Sequence, residues 1–349
     1  MKAMIFGGVG DLHMGDIPEP ALERSTDAIV RVTMSSICTS DLHIGAGAVP
    51  RAVPGIALGH EFVGVVEKVG ADVKNVSVGD RVAVNCETYC GECFFCRHGW
   101  VNNCTDPAGG WALGCRIDGG QAERCRVPFA DNCLTVIPDP VSDEKALLTG
   151  DLLSTGYWAC DIAGMEEGHT VAVIGAGPTG LCCAMMAGLK GPADIVIVDV
   201  DETRLEFARE HGIGTAYVNP LRQDLEEELK GMTDGRGADV VLEVAGGSDT
   251  FECAWRAARP NATVVIVAMY DSPQTLPLPE MYGKNLTFRT GGVDGSHCGD
   301  IMDLIASGRV DASCLITHRF PFSRIEEAYD LFSDRRDGVM KVAINFINE

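Results

Sequence analysis

Apolar and polar positions change rhythm once along this chain. Over roughly the first 150 residues, short apolar runs such as AIVRVTM, GVVEKVG and GDRVAV alternate with Gly, Pro and Asp turns, and long helical recurrences are few. A β-rich domain is predicted there. From about residue 154 strand-like and helical runs take turns: VAVIGAG and an apolar helix, IVIVDV and RLEFAREHG, VVLEVAG and FECAWRAA, then VVIVAMY. Repeated strand–helix alternation predicts a parallel, doubly wound sheet and an α/β fold class. After TGGVDG, near residue 294, come two helical stretches, IMDLIASG and FSRIEEAYDLFSD, and a strand-like KVAINFI. The expected segments are therefore 1–153, 154–294 and 295–349. No tandem repeat or low-complexity stretch interrupts them.

One segment imitates a membrane span. TVAVIGAGPTGLCCAMMAGL, from Thr170 to Leu189, carries no charge, but its internal GAGPTG divides it into a strand, a tight turn and a helix start. Composition narrows the rest. The chain has 349 residues, enough for about two domains, and its net charge of −22 repels nucleic acid and anionic membrane. Fifteen cysteines, an odd number without an apolar leader, argue for thiols in a reducing compartment, hence a cytoplasmic protein, rather than a disulfide scaffold.

Gly175, Gly177 and Gly180, with Pro178 and Thr179 between them, form G-x-G-x-x-G directly after a strand-like run. Such a loop turns tightly, lets backbone approach a pyrophosphate, and presents a helix N-terminus to it. Asp199 ends the next strand, where a carboxylate accepts from two ribose hydroxyls and repels a 2′-phosphate. Asp201 adds to the repulsion, while Arg204 offsets it or covers the adenine. NAD is expected over NADP. An ordinary αβ turn with a solvated or capping Asp199 is the plainer alternative.

The first domain scatters zinc-compatible side chains: Cys38 in ICTSDLH, His60 and Glu61 in GHE, and Asp151 in GDLLSTG. Three such ligands and an open position make a catalytic site. Spacing alone leaves blander roles open: a buried thiol, a turn histidine, and a helix cap before Leu152.

These residues, with PGIALGHEFVGVVEKVG at 54–70, VGDRVAV at 78–84, the cysteines of 86–104, GAGPTG and KVAINF, give the chain a resemblance to the medium-chain zinc-dependent alcohol dehydrogenases over nearly its whole length. The resemblance implies a β-rich GroES-like catalytic domain, to which 295–349 returns, around a Rossmann nucleotide domain. It implies Cys38, His60 and Asp151 as ligands of a catalytic zinc, with Glu61 able to approach the metal. The aspartate, where many liver-type members have cysteine, is similar to the bacterial secondary-alcohol branch. Ser40 and His43 correspond to a proton relay through the nicotinamide ribose, and Thr155 to a residue near the nicotinamide. The implied chemistry is reversible hydride transfer between an alcohol, secondary by this branch, and NAD, giving a ketone or aldehyde. A homodimer or homotetramer is also implied.

CETYCGECFFCRHGWVNNC holds five cysteines where four make a site. Cys90, Cys93, Cys96 and Cys104 form C-x2-C-x2-C-x7-C, able to wrap a second, structural zinc, and the spacing matches the structural zinc lobe of the resembled family. An iron–sulfur cluster or a redox dithiol suits the same thiols. Cys86 is left as a small buried residue. Ile44, Trp111, Tyr157 and Tyr270 are candidate pocket residues, and glycine-rich 105–120 is expected to be a mobile border of the cleft. A zinc-free quinone or alkene reductase, a non-enzymatic NAD sensor and a zinc-ribbon binding protein are the alternatives. Cys38, Ser40, His43, His60 and Asp151 together argue against the first two, and the acidic charge against the third.

Overall fold

The computed structural model describes residues 1–346. The chain forms two compact units, Met1–Ser154 with Asp294–Glu349, and Thr155–Val293.

In the first unit the strand Ala28–Ser36 is buried at all but one position, which explains its almost unbroken apolar run. It pairs antiparallel with Phe62–Val69, Arg124–Val127 and Lys341–Asn345. The sheet runs Ile316–Pro321, Lys341–Asn345, Ala28–Ser36, Phe62–Val69, Arg81–Val84, Leu134–Val136. Ala343 stands opposite Ser36, so the strand Lys341–Asn345 lies beside the segment entering Cys38. A small sheet of Lys2–Gly8, Asp11–Asp16 and Ile56–Ala57 completes the unit.

Two expectations change here. Ile44 is fully buried in a core with Met4, Phe6, Leu58, Ile325 and Val342. It fixes the helix Thr39–Gly45 instead of lining a pocket. The segment 105–120 is packed, not loose. The Ala112 carbonyl accepts from Arg116 and Ile117, and Gly114 N–H donates to Ile117. A Cβ on Gly119 would lie 2.0 Å from the Gly59 carbonyl oxygen, so its glycines serve close approach.

The second unit is a six-stranded sheet in the order Ala216–Val218, Asp194–Val198, Thr170–Ile174, Ala238–Glu243, Ala258–Ile266, Thr287–Thr290, with every pair parallel. Helices Pro178–Gly188, Glu202–Glu210, Leu225–Met232 and Thr250–Ala257 supply crossovers. The order reverses beside Thr170–Ile174, which opens a ligand crevice at the carboxyl ends of the central strands. Val264, Val265 and Ile266 of VVIVAMY fall in Ala258–Ile266, which is paired on both sides. No helix among the described residues is long and apolar enough to cross a membrane.

Candidate metal centres and nucleotide loop

Cys38 leaves the central strand at the start of the helix Thr39–Gly45, and its N–H donates to Asp41 Oδ2 at 2.9 Å. His60 and Glu61 precede the neighbouring strand, held there because Ser36 N–H donates to the Glu61 carbonyl at 3.0 Å. Asp151 lies inside a π-helical turn, Thr149–Leu153, whose N-cap is Leu148. It is therefore not the helix cap of the blander reading; a π turn re-aims side chains and is common at functional sites.

Ligand atoms of Cys38, His60, Glu61 and Asp151 all lie within 4.8 Å of one another. His60 Nε2 is 3.5 Å and Cys38 Sγ 3.9 Å from Asp151 Oδ2. His60 Nδ1 faces Asp41 Oδ1 at 3.6 Å, so a carboxylate backs the imidazole on the side away from the other donors. Burial is the largest single influence and would raise the Asp151 carboxyl, but hydrogen bonding and charge from His60, with Glu61 and Lys341, together outweigh it and hold Asp151 well below the usual range. Sulfur, imidazole and carboxylate converging in a buried, acid-rich pocket fit a divalent zinc, whose charge compensates the acids.

Lys341 supplies a fixed positive charge beside this pocket. Only 2% exposed, it donates to Ile37 O at 2.9 Å and contacts both Glu61 oxygens, at 2.6 and 2.7 Å. Burial disfavours its charge, and Glu61, with Cys38 and Asp151, together more than offset that. Ser36 Oγ also donates to Glu61. Glu61 therefore stands among the metal donors while paired to a lysine on the C-terminal strand. Lys341→Met would strand that carboxylate in the core, at a cost of about 3–5 kcal/mol. We expect a lower thermal midpoint, partly recovered by adding Glu61→Gln. An unchanged midpoint would mean that the pair contributes little net stability.

Ser40 and His43 are three residues apart in the helix Thr39–Gly45, a spacing that puts them on one face. Ser40 Oγ is 3.6 Å from Cys38 Sγ. Cys86 is buried as expected, but its thiol also lies 3.6 Å from Asp151 Oδ1. Trp111 is half-buried, with its ring edge-on to His60 at 5.6 Å between centroids. Thr155 and Tyr157 lie in the opening helix of the second unit, and Tyr270 bonds Thr250 there at 3.1 Å.

The second cluster unites Cys90, Cys93, Cys96 and Cys104. Sulfur separations are 3.4 Å for Cys93 to Cys96, 3.6 Å for Cys104 to Cys90, and 3.9 Å for Cys90 to Cys96. Zn–S bonds of about 2.3 Å in a tetrahedron space sulfurs about 3.8 Å apart. The N–H groups of Glu92 and Cys93 point at Cys90 Sγ, each at 3.4 Å. Backbone N–H from Cys96 draws the Cys93 thiol down to about 5, towards the thiolate that a metal needs. Four protein sulfurs leave no open position, so this centre is structural.

In the second unit Gly175 takes φ +111°, and a Cβ on Gly180 would lie 1.8 Å from the Gly175 carbonyl oxygen. Both glycines are required by the turn and by helix–strand approach. Pro178 opens the helix Pro178–Gly188, with Thr179 in its first turn. Asp199 Oδ2 accepts from Ala176 N–H at 2.7 Å and Oδ1 from Asp201 N–H at 2.9 Å, tying the glycine loop to the end of the next strand. Arg204 is 4.0 Å from both Asp199 and Asp201, and its Nη1 lies 3.7 Å from where a Cβ on Gly177 would stand.

Asp41, Lys341 and Glu87 are the site-lining residues that the sequence reading passed over. Asp41 had a signal, standing three residues after Cys38 as in a capping box. So did Lys341, a lone charge at the head of an apolar strand. Glu87 had none.

Comparison with known proteins covers both units. Residues 24–139 match the family model for the alcohol dehydrogenase GroES-like domain, and residues 178–307 that for zinc-binding dehydrogenases. An alcohol dehydrogenase of Cupriavidus necator is 36% identical, over 99% of this chain and 98% of its own. An NADP-dependent isopropanol dehydrogenase of Thermoanaerobacter brockii is 31% identical over 99% of both. The solved zinc dependent alcohol dehydrogenase 2 from Streptococcus pneumonia, in its apo form, superposes with a TM-score of 0.92 at 37% identity, covering 100% of this chain and 99% of that one. Kinship along the full length agrees with the two donor sets, and the chain belongs to the medium-chain zinc-dependent alcohol dehydrogenase family.

Proposed function

We propose that this enzyme oxidises secondary alcohols to ketones, reversibly, with NAD as hydride acceptor. The carrying observation is the convergence of Cys38, His60 and Asp151, three zinc donors of different chemistry with ligand atoms no more than 4.8 Å apart. When bound, zinc supplies Lewis-acid polarisation of the substrate oxygen and NAD takes the hydride. Cys38, His60 and Asp151 hold the metal, and Asp41 orients His60. Ser40 accepts the proton released by the alcohol, and His43, three residues on, passes it towards solvent. Gly175, Gly177, Pro178, Thr179 and Gly180 receive the pyrophosphate, Asp199 the adenosine ribose, and Arg204 the adenine side. Thr155 stands near the nicotinamide. The working form is a homodimer or homotetramer in the cytoplasm.

The choice of nucleotide follows from charge. A 2′-phosphate would meet Asp199 and Asp201, with Arg204 opposing them. A net repulsion of about 3 kcal/mol corresponds to roughly 100-fold in catalytic efficiency. We expect NAD to be preferred by that order, and Asp199→Gly to weaken NAD use and narrow the gap. Steady-state kinetics with both nucleotides, on matched primary and secondary alcohols, tests the whole reading. Equal efficiency with NADP would overturn the cofactor assignment; preference for primary alcohols would overturn the substrate class.

A further inference from the structure

Beside the catalytic donors lies a set of polar groups that the metal does not use. Glu87 Oε2, Trp111 Nε1 and Arg116 Nε are buried without a hydrogen-bond partner. Glu87, only 8% exposed, follows Cys86, whose thiol touches Asp151. Thr88 and Gly110 exchange backbone hydrogen bonds of 3.1 and 2.7 Å, which sets Glu87 and Trp111 on adjoining segments. Trp111 meets His60 edge-on, and the Arg51 guanidinium lies 5.1 Å above its indole. Gly110 takes φ +68°, which a residue with a side chain rarely adopts, and its free side faces Asn102 O, Glu87 Oε2 and Arg116 Nη2, at 3.3, 3.6 and 3.8 Å from where a Cβ would stand. Arg116 itself is anchored, donating to the carbonyls of Pro107 and Gly109.

We propose that Glu87 is a specificity-determining residue and that the preferred substrates are vicinal diols and their hydroxyketones, whose second hydroxyl donates to Glu87 and accepts from the Trp111 N–H. This rests on the reading of the adjoining Cys38, His60 and Asp151 as the site of alcohol oxidation. A simple alkyl chain would leave both groups dry and unpaired, whereas a hydroxyl is donor and acceptor at once. An ammonium only donates, and it would enter beside the guanidiniums of Arg51 and Arg116. Burial pushes the Glu87 carboxyl up to about 8, and whether ionised or protonated it keeps an acceptor oxygen for the second hydroxyl.

The test compares kcat and KM for 2,3-butanediol, 2-butanol and 3-amino-2-butanol on zinc-loaded, NAD-saturated protein, with zinc content measured on each preparation. The diol should exceed the monoalcohol by roughly ten- to a hundredfold in kcat/KM, and also exceed the amino alcohol. Glu87→Leu should collapse the diol-to-monoalcohol ratio with zinc retained, and Glu87→Gln should preserve most of it. Trp111→Phe, which keeps a ring but removes the N–H, should lower the ratio independently, which matters if Glu87→Leu does not fold. Equal efficiency with diol and monoalcohol, an unchanged ratio in Glu87→Leu and Trp111→Phe, or preference for the amino alcohol overturns the proposal and leaves alcohol oxidation standing. Turnover of none of the three overturns both.

Discussion

Asp151→Ala should lose the catalytic zinc and cut alcohol turnover by about three orders of magnitude, the loss expected when several kcal/mol of charge stabilisation disappear. Its carboxylate stands 3.5 Å from His60 Nε2 and 3.9 Å from Cys38 Sγ, so its removal leaves two protein donors and Glu61, which is already paired with Lys341. Asp151→Asn keeps the shape but offers a neutral, weaker oxygen; it should fold normally and recover only part of the activity. Asp151→Cys offers a thiolate and should retain more metal than the alanine variant. NAD affinity should survive in all three, because the glycine loop and Asp199 belong to the other unit. Zinc content, NAD binding and turnover measured on the same preparations decide the matter. Full zinc and near-normal turnover in Asp151→Ala would reject the ligand assignment.

The second large effect is structural. Cys96→Ser removes the sulfur that lies 3.4 Å from Cys93 and 3.9 Å from Cys90. The variant should carry one zinc per chain where the parent carries two, and its thermal midpoint should fall sharply, since apparent binding free energies at such sites are on the order of 10 kcal/mol. The remaining zinc should still support turnover at low temperature. Cys86→Ser is the contrast. Its hydroxyl still offers Asp151 a donor, and both metals should stay. Loss of the structural zinc from Cys86→Ser, with Cys104→Ser keeping it, would mean that the wrong four cysteines had been chosen. Iron in the parent would exclude the zinc assignment.

The sequence by itself determined the elements whose signal is local. Alternating strand and helix patterns after residue 154 specify the parallel sheet, because each unit carries its own periodicity. GAGPTG specifies a tight phosphate-binding turn, since close approach excludes side chains at Gly175 and Gly180. The four cysteines of the structural centre lie within 15 consecutive residues, Cys90 to Cys104, and their spacing already describes a wrapped ion. Short strands such as Ala216–Val218 and Thr287–Thr290 were missed because three or four residues carry too little pattern. Cys38, His60 and Asp151 could be named as zinc-compatible from residue type, but their spacing is too wide to join them, and it was the family likeness that made them one ligand set.

Tertiary structure decided what long-range pairing controls. Lys341 reaches Glu61 because the last strand pairs with Ala28–Ser36, a register no local window contains. Ile44 turned out to be core and Trp111 a neighbour of His60, because which way a side chain faces depends on the segment packed against it. The glycines of 105–120 read as slack in sequence, yet they bring backbones into contact around Gly59. Glu87 has no motif around it. Its buried, unpaired carboxylate became visible only when folding withdrew water from it and left no protein donor at Oε2.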